Sequence, residues 1–200
     1  MNPKDNIKNQ GRIHYVTGTC TNADKQYVRL HLYSDTQVDP ATVRPESVLR
    51  ESLKLLKLRE AEGEIYDSIR DQYMSICQDL KLQGILTPFA IQVRESMAIS
   101  ALRARIGGEQ EPKIDIQTFS DCLLHLSSLY NLNPDQPREL EFAVYRFLFW
   151  SALANFRPEE THHVNSALAK ISSCHDHNCV RHALRAQTAV NAGDYFSYFR

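Results

Sequence analysis

The feature that most constrains this chain is a helical rhythm. Tyr66, Ile69, Tyr73, Ile76, Leu80 and Gln83 follow one another at spacings of three and four, and Gly84 stands directly behind them. That spacing lines one face of an α-helix. Gly84 sits where a left-handed residue closes such a helix. The same pattern recurs. Pro45 opens a helix whose stripe is Leu49, Leu53 and Leu56, flanked by Val48, Ser52 and Leu55. Thr87-Pro88 restarts the chain as cap and first turn, followed by Phe89, Val93 and Met97, with Ile91, Ala98, Leu102 and Ile106 one stripe over. Gly107-Gly108 ends that helix. Asp115 or Thr118 is expected to cap a fourth, with Phe119, Cys122, Leu123, Leu126, Leu129 and Tyr130 inward.

A fifth helix, Glu139 to about Phe156, is apolar on nearly every side, so it is expected between neighbours at the centre of the array. Arg157-Pro158 stops it. A sixth carries Val164, Ala167, Leu168 and Ile171, and a seventh runs from Asn178 to about Ala192. Gly193 ends the seventh, and Asp194 is placed to cap a further start at Tyr195. Helices in pairs around Gly and Pro breaks predict an all-α fold, a right-handed solenoid of antiparallel helical hairpins of degenerate tetratricopeptide type. With Gly at 7 of 200 residues and Pro at 8, a turn-rich all-β fold is disfavoured. Residues 1–43 read differently. Only Tyr27 to Tyr33 alternates, as one short strand or a docking segment. The expected organisation is an extended or irregular arm over 1–43 and a helical repeat domain over 44–200.

Composition excludes several classes. An apolar fraction of 42% is enough for a packed core, which argues against a largely disordered chain. No apolar run approaches the ~20 residues that cross a bilayer. Met1 to Gln10 shows no secretory pattern. A net charge of −1 supplies no global field for phosphate backbones. Five cysteines, an odd number, read as reduced thiols, with Cys77 and Cys122 as small core residues.

Catalytic signals are scarce. The chain has no GxxxxGK[ST], GxGxxG, GxSxG or HExxH pattern, and its glycines fall at helix ends. The one dense cluster of liganding side chains is His162-His163 followed by Cys174, His175, His177, Cys179 and His182. Cys174, His177, Cys179 and His182 are the outside candidates for a zinc site, although their spacing matches no zinc module. A polar interhelical loop is the preferred reading of these residues. No catalytic residue and no cofactor is assigned. Candidate contacts for nucleic acid are Lys25, Arg29 and Arg44 near the arm, and Arg181 and Arg185 near the last helices.

Several strings occur in a telling order. Gly18-Thr19-Cys20 precedes Asp24-Lys25-x-Tyr27-x-Arg29-Leu30, Val43-Arg44-Pro45 and Val48-Leu49-x-x-Ser52-Leu53. Ser75-Ile76-x-Gln78-Asp79-Leu80-x-x-Gln83-Gly84-Ile85 comes next, then Phe119-x-x-Cys122-Leu123, Leu129-Tyr130 and Glu141-Phe142-x-x-Tyr145-Arg146. His182-Ala183-Leu184 and Ala189-x-x-x-Gly193-Asp194-Tyr195-x-x-Phe199 close the series. Over about residues 18–200 the set resembles the Sac/GANP family of PCI-type scaffolds, and within it the branch of the leukocyte-receptor-cluster protein and its fungal relatives. Cys77 departs from the pattern, which has Arg there.

The resemblance implies the helical part of a PCI module, with the winged helix that follows it in relatives absent from this chain. It implies a non-enzymatic, nuclear scaffold in a complex coupling transcription to mRNA processing or export. The expected partners are a second PCI-domain protein and a small acidic subunit, with RNA or DNA bound by the assembled complex and neither a membrane nor a small-molecule substrate. A protein-only PCI assembly of the proteasome-lid or signalosome type is the alternative, and the zinc protein is the outside one. Tyr195, Phe196, Tyr198 and Phe199 place four aromatics in five positions and are the candidate partner interface.

Overall fold

The structure, a computed structural model, describes residues 15–28, 38–107, 112–155 and 157–194, with side chains at 107 and 112–115 outside the description. Among the described residues the regular structure is helical: α1 (Glu46–Ala61), α2 (Tyr66–Gln83), α3 (Pro88–Gly107), α4 (Pro112–Leu132), α5 (Glu139–Ala154), α6 (Thr161–Ser172) and α7 (Asn178–Asn191). Short 3-10 turns at Pro40–Thr42 and Pro158–Glu160 precede α1 and α6. The all-α expectation therefore holds. Two compact units divide between Val93 and Arg94, inside α3.

The first unit is built on the α1–α2 hairpin. Leu49, Leu53 and Leu56 of α1 are buried, as are Ile69, Tyr73, Ile76 and Leu80 of α2. These are the two stripes legible in the spacing. Gly84 adopts φ +65° and ends α2, and a Cβ there would stand 2.4 Å from the Tyr15 ring. The left-handed turn and the close aromatic both require glycine. The arm belongs to this unit. Residues 15–28 are irregular, and the Val16 amide donates to the Leu82 carbonyl at 3.0 Å. Residues 29–33 of the expected strand lie outside the described residues, and Tyr27 and Val28 show no strand pairing.

The second unit is organised by α5, which packs against α4, α6 and α7. Phe142, Ala143, Val144, Phe147 and Trp150 of this helix are all buried. Its all-round apolarity is satisfied because neighbours occupy several of its sides. Ala167 and Ile171 of α6 and Val180 and Ala183 of α7 complete one cluster with Ala143, Val144 and Phe147. The start of α4 differs from expectation. It begins at Pro112, so positions 115 and 118 lie inside the helix and neither is its cap. Proline already has the backbone φ of a first turn and no N–H to satisfy, so the helix extends back to it.

Candidate functional site

The most elaborate polar arrangement is centred on Asp79, which projects from α2 beside the apolar stripe and is wholly buried. Arg44, at the approach to α1, is also 0% exposed. Its Nε donates to Asp79 Oδ2 at 2.7 Å. Its Nη1 donates to the Ala23 carbonyl and to Ser52 Oγ, both at 3.2 Å. Its Nη2 donates to Ser75 Oγ at 2.8 Å. Lys25 Nζ, from the arm, donates to Asp79 Oδ1 at 2.8 Å and also to the Thr42 carbonyl. Asp79 thus joins two cations brought from two different chain segments. Buried charges persist only where they are paired and hydrogen-bonded, and this group meets that condition.

A second layer fixes the backbone around the ion pair. Gln83 Nε2 donates to the Arg44 carbonyl at 2.8 Å, and Gln83 Oε1 accepts from the Gly18 amide at 3.3 Å. The Thr19 and Cys20 amides donate to the Pro40 and Val43 carbonyls, both at 2.9 Å. A Cβ on residue 18 would stand 2.4 Å from the Val43 carbonyl oxygen, so only glycine lets these strands of backbone approach. At the outer edge Arg59 donates to both carboxylate oxygens of Asp24, at 3.0 and 2.6 Å. That hydrogen bonding, more than simple charge proximity, holds the Asp24 carboxyl below the usual carboxylate range. Gln78 Nε2 reaches the Val28 carbonyl at 2.9 Å.

This clasp gathers Gly18, Asp24, Lys25, Arg44, Ser52, Ser75, Gln78, Asp79 and Gln83, drawn from five of the strings that mark the sequence. Their shared role is architectural: they tie the arm to the hairpin. Two candidate nucleic-acid contacts are thereby corrected. Arg44 has no surface to offer a phosphate, and Lys25 spends its charge on Asp79 with its side chain only 19% exposed. The clue was Asp79 itself, one residue off the Ile76–Leu80 stripe and four after Ser75. A carboxylate at that place on a buried face needs a cation close by.

The other candidate residues fare differently. Arg181 and Arg185 are exposed on α7, one turn apart, with Arg181 donating to Asn178 Oδ1. They remain available to a ligand. Arg29 and the run Tyr195, Phe196, Tyr198 and Phe199 lie outside the described residues. In the Cys/His loop, His177 Nδ1 stands 2.9 Å from Cys179 Sγ, and both Cys174 and Cys179 pack on the α5–α6–α7 core. No group of three His, Cys, Asp or Glu side chains converges on a metal-sized site among the described residues. His162 and His163 differ from a plain solvated pair. His163 stacks on Trp150 with ring centroids 4.3 Å apart, and His162 lies 3.9 Å from His163.

The matching family model is the SAC3/GANP family, over residues 17–200. The chain belongs to the SAC3/GANP family. It is 35% identical to a THP3 homolog of Schizosaccharomyces pombe, over 92% of this chain and 42% of that protein. It is 33% identical to SAC3 family protein A of Arabidopsis thaliana, over 92% of this chain and 16% of the relative. With the leukocyte receptor cluster member 8 homolog of Xenopus laevis it shares 32% identity over 92% of this chain and 21% of that one. The chain thus spans less than half the length of these SAC3/GANP relatives.

Proposed function

We propose that this chain is a non-catalytic scaffold subunit of a nuclear complex that couples transcription to mRNA processing or export. In this reading it pairs with a second PCI-domain protein and a small acidic subunit. The observation that carries the proposal is the family match over residues 17–200, whose N-terminal strings fold into a clasp rather than a catalytic constellation. A clasp of that kind presents a fixed surface, which is what a scaffold needs. Nucleic acid, where it is bound, is bound by the assembled complex.

A second reading, a protein-only PCI assembly, draws support from the charge balance. The net charge is −1, and both Lys25 and Arg44 are consumed internally. Affinity purification of the tagged chain from nuclear extract, with and without ribonuclease, followed by mass spectrometry, separates the two. Recovery of a PCI protein and a small acidic subunit together with mRNA-processing factors supports the first reading. Recovery of proteasome-lid or signalosome subunits alone overturns it in favour of the second.

A further inference from the structure

In the second unit, α4, α5 and α6 enclose a cleft of about 140 Å³. Its floor is apolar, and its polar wall carries Arg146 and Glu139 from α5, Ser127 and Asn131 from α4, and Ser166 and Lys170 from α6. Arg146 donates through Nη1 to Ser127 Oγ and through Nη2 to Ser166 Oγ at 2.9 Å. Its Nε is buried without a partner among the described residues. Among the described residues no carboxylate pairs with it. Arg44 and Arg70, by contrast, each have a carboxylate: Arg44 has Asp79 at 2.7 Å, and Arg70 has Asp67 at 3.1 Å.

Arg146 is half-buried, and a guanidinium held there without a counter-ion is costly, because two serine hydroxyls offer dipoles and not a charge. Burial accordingly makes the Arg146 proton easier to lose than an ordinary arginine's. Lys170 is the second cation on the wall, and it is 2.5 Å from Glu139 Oε1. Two cations and one carboxylate leave the cleft with one positive charge in excess. A single carboxylate neutralises that excess; a phosphate dianion overshoots it and meets Glu139.

We propose that the α4–α5–α6 cleft receives the carboxylate of a glutamate side chain presented by an acidic peptide segment of a partner protein, with Arg146 as its counter-ion. The carboxylate approaches Arg146 between Ser127 and Ser166. The aliphatic stem of the glutamate lies on the apolar floor. Lys170 stands at the mouth, divided between Glu139 and the incoming acid. The inference stands on the second unit alone and does not depend on the transcript-complex reading.

The test uses the whole chain and a fluorescent Gly-Glu repeat peptide blocked at both ends, read by anisotropy at low and moderate salt. Matched peptides carry Gln for Glu, phosphoserine for Glu, or Gln throughout with a free C-terminal carboxylate. The expected result is salt-sensitive binding of the Glu peptide and none of the Gln peptide. Arg146→Gln should weaken binding by about tenfold or more, as charge-assisted bonds to a desolvated arginine are lost. Glu139→Gln should tighten it, since Lys170 is released. Lys170→Gln, at an exposed side chain, keeps the test informative if Arg146→Gln does not fold, and should weaken binding while circular dichroism stays unchanged. No Glu-peptide binding at millimolar peptide overturns the proposal. So does binding by Arg146→Gln and by Lys170→Gln that equals the wild type's. Preference for the phosphoserine peptide or for the free C-terminus overturns the assignment of a glutamate side chain.

Discussion

Asp79 shows how one residue can decide what several others do. Its two oxygens hold Lys25 at 2.8 Å and Arg44 at 2.7 Å. Replacing it with asparagine leaves Arg44 buried with no counter-charge. Asp79→Asn should therefore lower stability by about 3–5 kcal/mol, read by chemical denaturation. The paired change Arg44→Met with Asp79→Leu should cost less than the single one, because no charge is then stranded. Arg44 was hard to read in the sequence, since an arginine before Pro45 looks like any surface cation. Only its meeting with Ser52, Ser75 and Asp79, far apart in the chain, shows that it is interior.

His163 makes a second argument at this scale. Burial, with the charge of His162 next in importance, holds its imidazole below the ordinary histidine range. Glu160 at 3.6 Å opposes the shift, and Arg146 adds to it. As pH falls, the unfolded chain takes up this proton before the folded chain does. The contribution to stability is therefore present above about pH 6.5 and declines as pH drops toward the lower native value. Because His163 stacks on Trp150, the chain's one tryptophan, its protonation should appear as a change in tryptophan emission. His163→Phe should abolish that titration. An emission midpoint above the ordinary histidine range would contradict the account.

At the scale of elements, the stripes of α1 and α2 and the all-round burial of α5 were legible because apolar spacing records which face is covered. What spacing does not record is where a helix begins when a proline permits an earlier start, as at Pro112, or what an irregular arm rests on. The arm has little apolar periodicity of its own and is held by backbone amides, by Arg44 and by polar side chains of α1 and α2. In α5, Phe147→Ala and Trp150→Ala should each cost about 3–5 kcal/mol through lost transfer energy plus a cavity. Thermal melts that shift by no more than a surface substitution would place this helix at the periphery.

At the scale of the whole molecule, charge is nearly balanced, with a net of −1, and Lys25 and Arg44 are held in internal ion pairs. Residues 1–200 alone should bind single-stranded RNA weakly at physiological salt, measured by anisotropy. Submicromolar binding that disappears on changing Arg181 and Arg185 together would show that α7 is a nucleic-acid surface after all. The zinc reading of Cys174, His177, Cys179 and His182 is checked by metal analysis of the purified chain.

The central claim is that the five N-terminal strings of this SAC3/GANP chain build a clasp that holds the arm on the α1–α2 hairpin. Amide hydrogen exchange tests it most directly, at Val16, Thr19 and Cys20, whose N–H groups donate to the Leu82, Pro40 and Val43 carbonyls. Wild-type protein should protect all three, and Asp79→Asn should strip that protection while α2 remains helical. Free exchange at these amides in the wild type, or protection untouched by Asp79→Asn, would contradict it.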